Sequence, residues 1–263
     1  MADPRGSAAG SGTSLVVGAS RGIGLALVEA QLANASVRRV IATRRPLSDQ
    51  PLSDRTALGR LTERYGERLQ CVELDVSDEA SVAAFAAVLR AVDGGVDLAI
   101  HAAGLLHDGA LWPEKALDDC KPGNLRRLFE VNSIGPLMVA SALLQAQNRR
   151  RRFTFAVLSA MVGSIGDNRL GGWYGYRASK AALNQFIRTL AIECRVKHPL
   201  ATILAIHPGT TDTGLSRPFQ RNVRPGRLFS PATTAARILQ VIASAEGTRS
   251  GCFLNWDGSE LPW

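Results

Sequence analysis

The sequence predicts one α/β domain: a doubly wound parallel sheet of about seven strands with helices on both faces. Three observations carry this reading. Short apolar runs alternate with longer helical patterns along most of the 263 residues, the signature of repeated strand–helix units around a parallel sheet. The runs are apolar nearly throughout, as strands covered on both faces are. The composition, 46% hydrophobic, shows no break that would mark a second domain, and the length suffices for one sizeable core.

The elements follow in order. Residues 14–17 are a short apolar strand ending at a glycine turn, and a helical pattern covers 22–34. A second strand at 37–43 meets Arg44-Arg45-Pro46, and 51–65 reads as a helix or a helix plus loop. A third strand (69–74), a third helix (79–91) and a fourth strand (96–101) repeat the unit. After a loop containing Pro113 and Pro122, the spacing predicts one long helix over about 124–147 and a fifth strand at 153–159. Another long helix at 173–197, a sixth strand at 201–207, a last helix at 231–245 and a terminal strand at 252–256 complete the chain. Residues 1–12 are rich in Ala, Gly and Ser without the apolar centre of a signal peptide; they read as a flexible N-terminal tail, and 13–263 as the domain.

The formal net charge is +8. A basic surface suits nucleic acid, an anionic membrane or an anionic small molecule. The densest run, the four arginines at 149–152, reads as a solvated helix end. No aromatic-rich recognition motif accompanies the charge, which argues against nucleic acid. No apolar run reads as long enough to span a bilayer. Cys71, Cys120, Cys194 and Cys252 lie far apart without CxxC spacing, so reduced thiols in the cytoplasm are expected, and no metal site.

The first strand runs into Gly18-Ala19-Ser20-Arg21-Gly22-Ile23-Gly24. Glycines there let the backbone turn tightly and approach a pyrophosphate, and the following helix offers free N–H groups and a favourable dipole. This is a Rossmann-type arrangement, although the spacing is GxxxGxG rather than GxGxxG. Arg44 follows the second strand, where an acidic residue would bind the ribose of NAD. An arginine there suits a 2′-phosphate, and Arg21 in the turn could reach the same group. Each alone could be an exposed surface charge; together they point to NADP(H).

Tyr176 and Lys180 form Tyr-x-x-x-Lys on a predicted helix, where residues four apart share a face. A lysine ammonium beside a phenol favours phenolate, and a tyrosine so tuned can exchange a proton with a carbonyl or alcohol oxygen. With the glycine turn, this pair resembles the classical short-chain dehydrogenase/reductase family, in its carbonyl-reductase and C-factor-like branch. The resemblance runs from Ser14 to about Asp257. Asp75-Val76 is similar to the family's adenine-contacting pair, and His101-Ala102-Ala103-Gly104 to its Asn-Ala-Gly turn with His in the first place. Asn132 matches the asparagine that supports a relay water. Pro208-Gly209, with Thr211 and Thr213, resembles the stretch that holds the nicotinamide carboxamide.

The resemblance implies reversible hydride transfer between NADP(H) and a carbonyl or alcohol compound. Tyr176 would be the acid/base, Lys180 would tune it and bind ribose, and Asn132 would hold the water. The family serine is displaced: the segment Ser159-Ala160-Met161-Val162-Gly163 puts Ala160 at its place. Ser159, one residue early, is the first expectation for a substrate-oxygen donor, provided a loop or bulge turns it inward. Ser164 is the alternative. Substrate is expected to enter beside 105–112 and beneath a lid at 215–228. The resemblance also implies a homodimer or homotetramer. The rival expectation is a non-catalytic NADP(H)-binding regulatory or signalling protein of the same fold.

Overall fold

Alternation of side chains along buried strands builds two separate apolar layers, one on each face of a single sheet. The computed structural model describes residues 12–46 and 52–263. The expected tail over 1–12 therefore lies outside the described residues except for Gly12, and so does the expected helix start at Pro51. The strands are β1 (Gly12–Val17), β2 (Val37–Arg44), β3 (Leu69–Glu73), β4 (Leu98–His101), β5 (Phe153–Leu158), β6 (Ala201–His207), β7 (Thr210–Thr211), β8 (Leu228–Phe229) and β9 (Phe253–Asn255). The helices are α1 (Gly22–Ala33), α2 (Leu52–Tyr65), α3 (Glu79–Arg90), α4 (Pro122–Phe129), α5 (Gly135–Ala146), α6 (Tyr174–Lys197) and α7 (Pro231–Ala245).

Seven strands form one parallel sheet, as the sequence predicts, and their order is β3-β2-β1-β4-β5-β6-β9. Leu15, Val17, Phe153, Phe155 and Val157 face one way and meet Phe85 of α3, Val139 and Leu143 of α5 and Leu183 and Ile187 of α6. Val16, Ala156, Leu158, Leu204 and Ile206 face the other way and meet Leu27 and Leu32 of α1 and Ile238 and Val241 of α7. Strand order reverses between β1 and β4. The connections leave them in opposite directions there, opening a crevice at the carboxyl ends of the strands.

Helix starts follow local chemistry. Asp78 caps α3 through its carboxylate to Ala80 N, and Ser230 caps α7 through its hydroxyl to Thr233 N, with Pro231 in the first turn. The single helix expected at 124–147 begins earlier, at Pro122, and is broken by a π-helical turn over Glu130–Ile134. This helical run of 25 residues is long and apolar enough by composition to cross a bilayer, contrary to the sequence reading, and half of its most apolar 18-residue stretch is buried in the protein. It packs on α3 and α6. The arginine run is also partly consumed. Arg151 pairs with Asp97, whose other oxygen accepts Thr13 N, and Arg149 donates to the Lys197 carbonyl. The cysteines are unpaired.

Gly24 sets how closely α1 lies on the first turn. A Cβ at this position would fall well inside contact distance of the Gly18 carbonyl oxygen, a backbone atom that cannot yield. Gly24→Ala is therefore expected to lower unfolding free energy by about 1–3 kcal/mol, the usual cost of overpacking. Urea titration of the two proteins checks it; an unchanged midpoint would show that α1 can move away.

Candidate active site

The glycine turn sits at the mouth of the crevice, and its residues leave no room for side chains. Gly18 has φ 81°, and a Cβ there would stand 2.7 Å from Ala103 N. Gly18 N donates to Thr43 Oγ1, Ala19 N to the Thr43 carbonyl, and Ala102 N to the Val17 carbonyl, so the turn is tied to β2 and β4. Gly22, at φ 55°, opens α1. Thr213 Cγ2 lies 3.0 Å from where its Cβ would be, so the loop after β6 closes over the turn. Ser20 stands in the turn, half-buried, and Ile23 packs into the core beneath it.

Arg21 precedes α1 at its cap position, and Arg44 is the last residue of β2. Arg44 reaches Glu73 on β3 at 4.0 Å, yet its Nε is buried without a partner. An orphaned guanidinium nitrogen beside a glycine turn fits the 2′-phosphate of NADP(H), and a helix start fits its pyrophosphate. Burial opposes ionisation of Asp75. The hydroxyl and N–H of Ser77, with Arg127 and Arg45, outweigh it and hold the carboxyl below its usual range. Val76 lies against Gly135, where a Cβ would meet its carbonyl at 2.8 Å. Pro208 follows β6 directly, and Gly209 (φ 76°) is pressed against Phe229 and Trp256. Thr211, in β7, pairs its hydroxyl with Thr234.

The structure brings Asn132, Tyr176 and Lys180 together. Asn132 lies in the π-helical turn, fully buried. Its Nδ2 donates to the Leu105 carbonyl and to Ser179 Oγ, and its Oδ1 accepts Leu105 N at 2.7 Å. Both amide hydrogens are used, so of the side chain only the second lone pair of Oδ1 remains to hold a water. Gly104 keeps the approach open: a Cβ there would lie 3.5 Å from Asn132 Oδ1 and 3.7 Å from Lys180 Nζ. Lys180 Nζ donates to the Leu158 carbonyl at 2.9 Å and stands 5.9 Å from the Tyr176 ring centre. Burial brings Lys180 down to about 8.

Burial also pushes the Tyr176 phenol up. Burial thus acts against the phenolate that Tyr-x-x-x-Lys suggests. His101, beside Lys180, is held neutral at about 3, by burial first and by the Lys180 charge second. His207 is held at about 4 by burial, which Asp257 only partly opposes.

The serine expectations are not met by the geometry. Ser159 donates its hydroxyl to Asn184 Oδ1 at 2.6 Å, whereas Ala160 packs against the cluster that holds Tyr176. The reason is backbone direction. Ala160 is extended (φ −149°, ψ 145°), so no bulge reverses the alternation that turns Ser159 away. Ser164 donates to the Trp263 carbonyl and accepts Asp167 N. Gly163 is explained by contact: a Cβ would stand 2.8 Å from Lys180 Cβ.

Other residues of the site were not singled out from the sequence. Glu114 is 2% exposed; its Oε2 accepts Gly175 N at 3.1 Å and its carbonyl accepts Trp173 N at 2.6 Å. A carboxylate following a proline between apolar stretches was the available signal. His107 Nε2 lies 3.2 Å from the Gly214 and Leu215 carbonyl oxygens, tying the loop after β4 to the expected lid. That lid contains a 3-10 turn, Arg217–Asn222, and its ends are pinned by pairing of β7 with β8.

Residues 13–224 match the family described as short chain dehydrogenase. C-signal of Myxococcus xanthus is 33% identical over 171 residues, covering 65% of this chain and 94% of that protein. The 1-hydroxy-2-glutathionyl-2-methyl-3-butene dehydrogenase of Rhodococcus sp. (strain AD45) is 31% identical over 196 residues, covering 72% of this chain and 78% of that protein. The crystal structure of the NADPH-bound carbonyl reductase from chicken fatty liver superposes with a TM-score of 0.82 at 28% identity, covering 95% of this chain and 98% of that one.

His101 and His207, the histidines held furthest down, give the stability a sign with pH. Both are held below the ordinary value of 6.5 in the folded state. Their contribution is complete above about pH 6.5 and is lost on acidification towards pH 4, because the unfolded chain binds protons that the folded chain refuses. Each is expected to add a slope of about 1–2 kcal/mol per pH unit in that window. Urea unfolding from pH 7 to pH 4 should show a shallower slope for His101→Asn and for His207→Asn; parallel curves would reject the assignment.

Proposed function

We propose that this chain, which belongs to the short chain dehydrogenase family, binds NADP(H) and reduces a small carbonyl compound, with Tyr176 delivering the proton. The chain is an oxidoreductase of that family, in the branch of carbonyl reductases and C-signal. The observation that carries the reading is the buried Tyr176 with Lys180 Nζ 5.9 Å from its ring centre, on a helix that Asn132 ties to the site through Ser179. The dinucleotide, when bound, supplies the hydride. Gly18, Ser20, Gly22 and Gly24 give its phosphates a close approach, and Arg21 and Arg44 take the 2′-phosphate.

The protein's own part is to orient and to move one proton. Tyr176 donates its hydroxyl hydrogen to the substrate oxygen as negative charge develops there. Lys180, partly relieved of its proton affinity by burial, stands behind the phenol to return a proton. Asn132 positions the loop after β4 and keeps a lone pair for a relay water. No serine assists: with Ala160 facing the site, the Tyr176 hydroxyl orients the carbonyl alone. A non-catalytic NADP(H)-binding role is the second reading, favoured by that missing serine hydroxyl. Assembly as a homodimer or homotetramer is supported by exposed Ile134, Met138, Ile192 and Val196 on α5, α6 and the turn before α5.

Tyr176→Phe is expected to keep NADPH affinity and to lose turnover by about 10²–10⁴-fold. Following NADPH oxidation with a carbonyl panel checks it, and a folded variant with normal turnover would favour another acid. If wild type binds NADPH and reduces nothing, the non-catalytic reading stands. Ser159→Ala should leave turnover nearly unchanged in the same assay. Arg44→Asp should weaken NADPH by about tenfold or more while sparing NADH, the value of a charge-assisted contact. Fluorescence titration with both cofactors measures this, and equal losses would reject the phosphate role.

A further inference from the structure

We infer that Trp173 is a specificity-determining residue, that Glu114 is the positioning residue that sets it, and that the wall they build takes flat, uncharged aromatic carbonyl compounds. The inference rests on the carbonyl-reducing reading above and names the substrate class of that site.

Trp173 is the only non-glycine residue at positive φ among the described residues, with φ 51° and ψ 42°. A bulky side chain in this region is strained and persists only where its surroundings over-determine it. They do so here. Gly171 and Gly172, both at positive φ, lead into it. Its N–H is held by the Glu114 carbonyl, and two residues on Gly175 N is held by the Glu114 carboxylate. Gly175 has no space for a side chain, since a Cβ would stand 2.7 Å from Leu128 Cδ1 and 2.9 Å from Glu114 Oε1.

The arrangement costs stability. A carboxylate 2% exposed leaves water behind, and its Oε1 finds no partner. The compensation is local: Oε2 sits at the first turn of α6, where helix N–H groups favour negative charge. Neither strain nor buried charge is required to start a helix. What they fix is where the indole goes.

The indole lies edge-on to Tyr176, with ring centres 6.1 Å apart, and edge-on to Phe219 of the lid at 4.9 Å. Phe219 in turn meets His107 at 5.8 Å and Trp112 at 6.1 Å, and those two rings stack on each other. Four rings thus stand in a continuous row leading to the Tyr176 ring. Rings favour offset or edge-to-face contact with another flat ring over contact with a saturated one. The polar member, His107, has its Nε2 committed to two backbone carbonyls. A charged substrate group would leave water against this wall without gaining an ionic partner in it.

The test compares two α-diketones that differ only in carrying a phenyl or a cyclohexyl ring. Reduction is followed by NADPH oxidation, and ketone binding by quenching of tryptophan fluorescence. The phenyl compound is expected to be preferred by about tenfold in kcat/KM, mostly through KM, as one good aromatic contact allows. Trp173→Gly suits the left-handed backbone and removes only the indole; it should bring the preference close to unity without changing NADPH affinity. Glu114→Ala should lose most of the preference, and Glu114→Gln, which keeps an acceptor for Gly175 N, should retain it. A purely structural role for Glu114 would instead lower thermal stability and the turnover of both ketones alike, with the phenyl preference intact. Equal turnover and equal binding of both ketones by wild type, or an undiminished phenyl preference in Trp173→Gly, would overturn the wall and leave the oxidoreductase reading standing. Preferential phenyl binding with neither compound reduced would keep the wall and overturn that reading.

Discussion

One buried amide holds the site together. Asn132 takes the N–H and carbonyl of Leu105 in a two-way pairing and reaches Ser179 with its remaining hydrogen. In one contact it joins the loop after β4, the helical run from Pro122 and the helix that carries Tyr176 and Lys180. Removing an amide of this kind leaves several backbone and side-chain groups unpaired in a dry interior, so the cost falls on all three segments together. The π-helical turn places it. A regular helix through this stretch would advance the side chain differently around the axis, and such turns recur at functional sites for this reason.

Around that tie, burial decides the charges. The same desolvation that pushes the Tyr176 phenol up draws Lys180 down to about 8 and keeps His101 neutral. These groups share one low-dielectric pocket, and no carboxylate charge among the described residues acts on them there. An environment of this kind favours neutral forms on both sides of a proton transfer, which suits a reaction in which a proton crosses to an oxygen. The basic surface serves other ends. Arg151 braces the start of β4 through Asp97, and Arg44 closes β2 on Glu73.

The sequence determined the fold class, the seven-stranded parallel sheet, the glycine turn and the Tyr176–Lys180 pair. Each is written in local pattern: continuous apolar runs, glycines at a strand end, residues four apart on a helix. The direction of Ser159 was not local, because it depended on whether the chain stayed extended through Ala160. The tertiary structure kept it extended and turned the hydroxyl to Asn184. The surroundings of the phenol were not local either: the lysine four residues on is legible in the sequence, but only packing sets how dry the pocket is. Glu114 and Trp173 were hidden for the same physical reason. They lie far apart in the chain, and their hydrogen bonds exist only once the loop before α4 is folded against the start of α6.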